Sequence, residues 1–188
     1  DVWAARAVEM VAKNIVRVAD GTADDDVRAQ MLLGSTMAGI GFGNAGVHVP
    51  HAMSYPVAGG VRSYVPPDYP TDHPMIPHGI AVTLNAPAAF RWCAAANPER
   101  HLWAAQLMGA DTRGARPEYA GEILADTVAG LMQRTGMPNG LSAVGFSEAD
   151  VEQLVTGTLA QQRLLKLAPR PVDAAALSAM FRDAMTIW

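Results

Sequence analysis

The chain has 188 residues, enough for one domain or two very small ones, and half of them are hydrophobic, enough to bury a core. Fourteen Lys and Arg against eighteen Asp and Glu give a net charge of −4, so the broad basic surface needed to neutralise a nucleic-acid backbone is missing. The single cysteine, Cys93, excludes an internal disulfide and any Cys-pair zinc or iron–sulfur site, which points to a reducing compartment, expected to be the cytoplasm.

Asp1-Val2-Trp3-Ala4 is neither an initiator methionine nor a signal peptide, and the expectation is that residues have been removed upstream. From Asp1 to Asp20, Val8, Val11, Ile15 and Val18 recur at three- and four-residue steps between Arg6, Lys13 and Arg17, which predicts an amphipathic helix stopped by Gly21. Asp24 to Asp26 offer acidic residues to the start of a second helix running through Met31, Leu32 and Leu33. Residues 31–61 carry no Asp, Glu, Lys or Arg, but Ser35, Asn44, His48, Pro50, His51, Ser54 and several glycines interrupt them. No membrane span is expected there, and the stretch reads as a buried, mostly helical segment.

Gly59-Gly60 and Pro66, Pro67, Pro70 and Pro74 predict a long surface loop over 59–76. Pro77 suits the first turn of a helix continuing through Ala96, with His78 at its beginning. Asn97-Pro98-Glu99 is a second cap-then-proline start, and Leu124, Val128 and Leu131 mark a helix between Pro117 and Gly136. Ser147 and Asp150 have capping-box spacing, and Asp173 can cap a last helix striped by Leu177, Met180, Phe181 and Met185. No run alternates with period two, so the expected fold class is all-α, a bundle-like multi-helix domain over 1–188 with methionines filling its core.

Three features could carry chemistry. Gly41-Phe42-Gly43-Asn44-Ala45-Gly46 fits GxGxxG, with Asp68 at a ribose-binding distance in sequence, but a predicted helix stands where the fingerprint needs a strand. The plainer reading is that Gly39, Gly41, Gly43 and Gly46 let another helix or a ligand approach the backbone. Four of the five histidines lie in charge-free stretches: His48 and His51, then His73 and His78. Neutral imidazole is a common metal ligand, yet this spacing serves equally well for histidines bonded separately in a core or loop. His101, beside Glu99 and Arg100, reads as a surface residue. Ser54, Tyr55 and Tyr64 could orient a substrate oxygen, although a Tyr in a helical core more often packs.

Ala38-Gly39-Ile40-Gly41-Phe42-Gly43-Asn44-Ala45-Gly46, then His51-Ala52-Met53-Ser54-Tyr55 and Pro77-His78-Gly79, resemble the signature of the iron-containing alcohol dehydrogenases. The likeness is strongest to the hydroxyacid-oxoacid transhydrogenase branch, through His73-Pro74, Pro98 to Leu102, Gly109 to Arg113 and Lys166 to Pro169. The resemblance covers nearly the whole chain and implies a dehydroquinate synthase-like C-terminal helical domain. It implies a divalent metal, Fe²⁺ or Zn²⁺, held by one Asp and three His beside a nucleotide-binding domain, with His51 and His78 matching the two later histidines. The earlier Asp and His of that pattern, and the Gly-Gly-Gly-Ser phosphate motif, have no counterpart here, so no NAD(P)-binding residue is assigned. Tyr55 stands where many members carry a further histidine. His48 is a candidate for the same cleft.

The resemblance implies a metal- and NAD-linked oxidoreductase acting on a small alcohol or hydroxyacid. On that reading this chain is the metal-binding domain, inactive alone, partnered by a nucleotide-binding domain and compatible with a homo-oligomer. A non-catalytic helical interaction module is the alternative. A small metal-dependent hydrolase would need carboxylates near the histidines, Asp68 and Asp72 being nearest in sequence.

Overall fold

The computed structural model describes residues 1–67 and 69–188. Among these there are nine α-helices and no strand: α1 (Val2–Ala19), α2 (Asp25–Ala45), α3 (Val49–Gly59), α4 (His78–Cys93), α5 (Pro98–Leu107), α6 (Ala120–Arg134), α7 (Val151–Leu159), α8 (Gln162–Leu165) and α9 (Ala174–Asp183). The chain is all-α, as its periodicity predicts. It forms two compact units, one of Asp1–Gly46 with Ala94–Met137, the other of Val47–Cys93 with Pro138–Trp188.

In the first unit α1 lies along α2, and α5 packs on α6. Asp24 caps α2 by accepting the Val27 N–H at 2.8 Å, and Asp25 and Asp26 add negative charge at the positive end of the helix dipole. Asn97 caps α5 through Arg100 N–H at 3.1 Å. The α1 stripe is displaced from its sequence reading. Ala7, Met10 and Asn14 are the buried line, whereas Val8, Val11 and Ile15 are half-buried and Val18 is exposed. Two α2 glycines account for this: side chains at Gly34 and Gly41 would stand 3.2 Å from Val11 Cγ2 and Ala4 Cβ, so the two backbones come close where the glycines are.

The charge-free stretch divides in two, correcting its reading as a buried segment. Within α2 only Val27 and Gly34 are buried, and Leu32 (72% exposed), Leu33, Ile40 and Phe42 face outward. Absence of charge is not a signal of burial when the apolar residues fall on every side of a helix. Gly39 and Gly43 also differ from expectation, since a side chain on either would meet open space. Gly41 to Gly46 close α2, with no strand before them among the described residues, so the dinucleotide-loop context is lacking. Asp68, invoked with that motif, lies outside the described residues.

In the second unit α3 packs against α4, α7 and α8, and α9 against α4 and α7. Val49, Ala52, Met53 and Val57 of α3 and Ala81, Leu84, Ala88 and Ala89 of α4 are buried to 2% exposure or less. Pro56 sits inside α3 opposite Gly157 of α7, where a side-chain carbon would be only 2.7 Å from the proline Cβ. Pro77 stands one residue before α4 rather than inside it, and its carbonyl accepts the Ala81 N–H at 2.9 Å. Asp173 caps α9 through Ala176 N–H at 2.8 Å, and Leu177, Met180 and Phe181 form its buried stripe, with Met185 half-buried just beyond the helix. Of the ten methionines, Met10, Met53, Met132 and Met180 lie in the core and the other six are half-buried, so the expectation of core filling holds only in part.

The C-terminal tail is fastened to residues 139–142. Leu141 N–H donates to Ala184 O at 2.9 Å, Ser142 N–H to Met185 O at 3.1 Å, and the Asn139 side-chain Oδ1 accepts Ile187 and Trp188 N–H at 2.9 and 3.0 Å. Gly140 has φ +78°, and a side-chain carbon there would stand 2.3 Å from Met185 O. Gly140→Ala therefore combines a strained backbone with a clash against main chain, and should cost about 2–4 kcal/mol, lowering the unfolding temperature by about 5–15 °C. Gly130→Ala, inside α6 with open space around it, should instead add about 0.5–1 kcal/mol in the same thermal-unfolding measurement.

Candidate metal centre

His51 lies in the first turn of α3 and His78 opens α4, so the packing of these helices brings together two residues far apart in sequence. Their ring centroids are 5.4 Å apart and their planes are inclined by 58°. His51 is half-buried and His78 is exposed, which places the pair at the surface of its unit, open on one side. Behind His51, Ala52 is fully buried against Leu164 and Leu165 of α8, and Ser54 Oγ donates to the His51 carbonyl at 2.8 Å. The first turn of α3 is thus held from the core side at Ala52.

Burial pushes the His51 pKa below its ordinary value, and the positive charges His78 and His48 would carry when protonated push it further down. All three causes favour the neutral ring, the form that can donate a lone pair. Cys93 is different: it is buried in the second unit, and its thiol is raised to about 11, so it stays protonated and inert.

The other sequence candidates separate around this pair. His48 is the residue before α3, half-buried, with its carbonyl accepting the Ala52 N–H at 3.0 Å; it is therefore a cap residue rather than a helical neighbour of His51. Tyr55, one turn after His51, is 46% exposed, which overturns the packing reading for this side chain and leaves its hydroxyl accessible. Ser54 is the reverse case, 1% exposed and spent on a backbone bond. Tyr64 is half-buried, and burial raises its phenol pKa. His73 is turned to its own loop, with Nδ1 2.8 Å from Asp72 Oδ1 and Thr71 close by. His101 is partly exposed and its Nδ1 lies 2.9 Å from the Asn97 carbonyl, in keeping with a surface position. The hydrolase reading finds no support: Asp72 engages His73, Asp68 lies outside the described residues, and no group of three His, Cys, Asp or Glu fit to hold a metal occurs among the described residues.

Sequence reasoning found Ser147 and Asp150 but missed their partner, Arg62. Asp150, 7% exposed, accepts from Arg62 Nη2 at Oδ1 and, at Oδ2, from Arg62 Nη1 at 3.3 Å, Ser147 N–H at 2.8 Å and Ser147 Oγ at 3.0 Å. The capping-box spacing flagged Asp150, but nothing local could reveal a partner on the α3–α4 loop.

Two imidazoles bound to one ion at about 2.1 Å from each nitrogen have ring centroids about 5 Å apart, so the His51–His78 spacing suits a shared metal. The neutral, softer nitrogen donors suit iron or zinc better than a hard cation. Two histidines are fewer than the four ligands a closed site takes, and no third His, Cys, Asp or Glu joins them among the described residues.

The chain belongs to the iron-containing alcohol dehydrogenase family: the family's C-terminal domain model matches residues 1–185. Among curated relatives, the mitochondrial hydroxyacid-oxoacid transhydrogenases of Bos taurus and Homo sapiens are each 47% identical over 188 residues, covering all of this chain and 40% of theirs. Of solved structures, a 1,3-propanediol oxidoreductase superposes with TM-score 0.83 at 27% identity over 98% of this chain and 44% of its own. An alcohol dehydrogenase from Oenococcus oeni shares the fold with TM-score 0.83 at 24% identity, over 98% and 44% of the respective chains. The chain therefore spans about two fifths of the length of the relatives it matches. No described helix is long and apolar enough to cross a membrane.

A lowered His51 pKa means that the unfolded chain takes up this proton first as the pH falls. Stability linked to His51 should be complete above the ordinary imidazole range and lost as the pH drops through it to the lower folded value. Imidazole NMR titration should find His51 below ordinary histidine, and His78→Asn should raise it part of the way back by removing one positive neighbour. A His51 that titrates at or above the ordinary value would contradict the placement.

Proposed function

We propose that this chain is the metal-binding domain of an oxidoreductase that transfers hydride between an alcohol or hydroxyacid and a carbonyl, with a nicotinamide cofactor held elsewhere in the parent protein. The observation that carries the proposal is the His51–His78 pair, formed from two helices at a separation that suits one shared ion. The family supports it, as do the names of relatives that are transhydrogenases or oxidoreductases.

In this reading His51 and His78 hold a divalent metal, Fe²⁺ or Zn²⁺. Such an ion, when bound, polarises the substrate oxygen and lowers the alcohol's pKa. His51 contributes a ring kept neutral by burial, on a helix turn fixed from behind by α8. His78 contributes a ring from the first residue of α4, exposed and free to meet ligands arriving from outside this unit. Tyr55 presents an accessible hydroxyl on the same α3 face as His51, suited to hydrogen-bond a substrate oxygen. His48 adds to the positive potential on His51 at low pH and so favours its neutral form. The compartment follows the parent protein; the curated relatives are named as mitochondrial, where the single cysteine had suggested cytoplasm.

In the parent protein, His51→Ala and His78→Ala should each lower metal content and reduce activity at least about 100-fold, since half of a four-ligand set rests on them. Metal analysis beside alcohol or hydroxyacid oxidation kinetics makes the check. Wild-type metal content in both variants would end the proposal.

A further inference from the structure

The loop joining α3 to α4 is tied down at both ends, and the second tie leads directly to His78. At its start, Arg62 reaches the buried Asp150 with both terminal guanidinium nitrogens, Nη1 and Nη2, and Nη1 also donates to Gly145 O at 3.1 Å. The guanidinium carbon stands 5.9 Å from the centre of the Phe146 ring, and a side chain on Gly60 would meet that ring at 3.2 Å, so the chain leaving α3 is pressed onto 145–150. Asp150 is held in turn by Ser147 through both its N–H and its hydroxyl. Every polar atom of this carboxylate is used, and its pKa is lowered chiefly by Arg62, so it stays charged as Arg62's counter-ion.

Two residues on, the Tyr64 carbonyl accepts the Met75 N–H at 2.9 Å, closing the intervening loop at its base. Met75 is followed by Ile76, which is 4% exposed, then by Pro77, which cannot vary its φ freely, and then by His78. The connection from Arg62 to His78 therefore runs through two residues, one hydrogen bond and three more residues, bypassing the loop tip. His51 needs no such support, being backed by α8. His78 has an exposed ring at the very first position of its helix, where no preceding turn holds it.

We propose that the Arg62–Asp150 pair is a positioning pair for His78: it sets the path of the loop base so that the His78 ring is held opposite His51. This rests on the reading of His51 and His78 as metal ligands. Arg62 and Asp150 touch no metal or substrate; they act through the Tyr64–Met75 bond. Groups that hydrogen-bond a ligand ring directly are worth about 10–100-fold in metal affinity, and a pair acting at one remove belongs at the low end of that range.

The test uses the metal-free parent protein, titrated with Co²⁺ and followed by visible absorption and by competition with a chelator. Arg62→Met and Asp150→Asn should each weaken Co²⁺ binding about tenfold or more and change the ligand-field spectrum, with Arg62→Lys recovering part of the loss. Arg182→Met breaks an exposed ion pair of the same unit, with Glu148 at 2.5 Å, and should leave Co²⁺ affinity and spectrum unchanged. Equal losses from Arg182→Met and Arg62→Met would reduce the pair to general stability and overturn the inference. Wild-type affinity and spectrum in Arg62→Met and Asp150→Asn, while His78→Ala weakens binding, would overturn the inference alone. No effect of His78→Ala would remove the metal-centre reading itself.

Discussion

α3 packs on α4, and both helices bury small side chains, Ala52 in α3 and Ala81, Ala88 and Ala89 in α4, beside the larger Met53 and Leu84. Small residues let two helix axes approach closely, and close approach is what sets the separation of whatever the helices carry at their N-terminal ends. Here they carry His51 in the first turn of one helix and His78 at the first residue of the other. The 5.4 Å between the two rings thus depends on core packing several residues away, together with the loop that leads into His78. Insertion of bulk into that core would be felt at the histidines, because packed interiors transmit strain instead of absorbing it.

The supports around this contact differ on its two sides. α3 is clamped: α8 packs behind Ala52, Pro56 meets Gly157 of α7, and Gly60 is pressed on Phe146. α4 is held along its length by burial, with Leu84 through Ala89 all buried, but its first residue projects beyond that region. Within α4 the fully buried Asn85 donates to Ala81 O at 2.7 Å, a bond that keeps its amide inside the helix. The asymmetry leaves one imidazole half-buried, with its neutral form favoured, and the other exposed.

Much of this was legible in the sequence, for identifiable reasons. Caps are local, so Asp24, Asn97 and Asp173 announced α2, α5 and α9, and each accepts the expected backbone N–H. The α9 stripe was readable because its apolar residues sit on one face among small ones. Burial along α2 was not, because apolar residues occur all round that helix and only packing chooses a face. Tyr55 and Ser54 are neighbours in sequence and opposites in exposure, a difference decided by helix rotation and not by residue type. The histidine pair could not be reached from spacing, since nothing local relates position 51 to position 78; the family resemblance pointed to it. The Arg62–Asp150 pair was invisible for the same reason.

The central claim is that α3 and α4 together present two ligands to one ion. The most direct measurement is anomalous diffraction from crystals of the metal-loaded parent protein, collected at the absorption edge of the bound metal. The account predicts a single strong peak at about 2.1 Å from one nitrogen of each of His51 and His78. A metal peak that neither ring touches, with the two imidazoles hydrogen-bonded elsewhere, would contradict it.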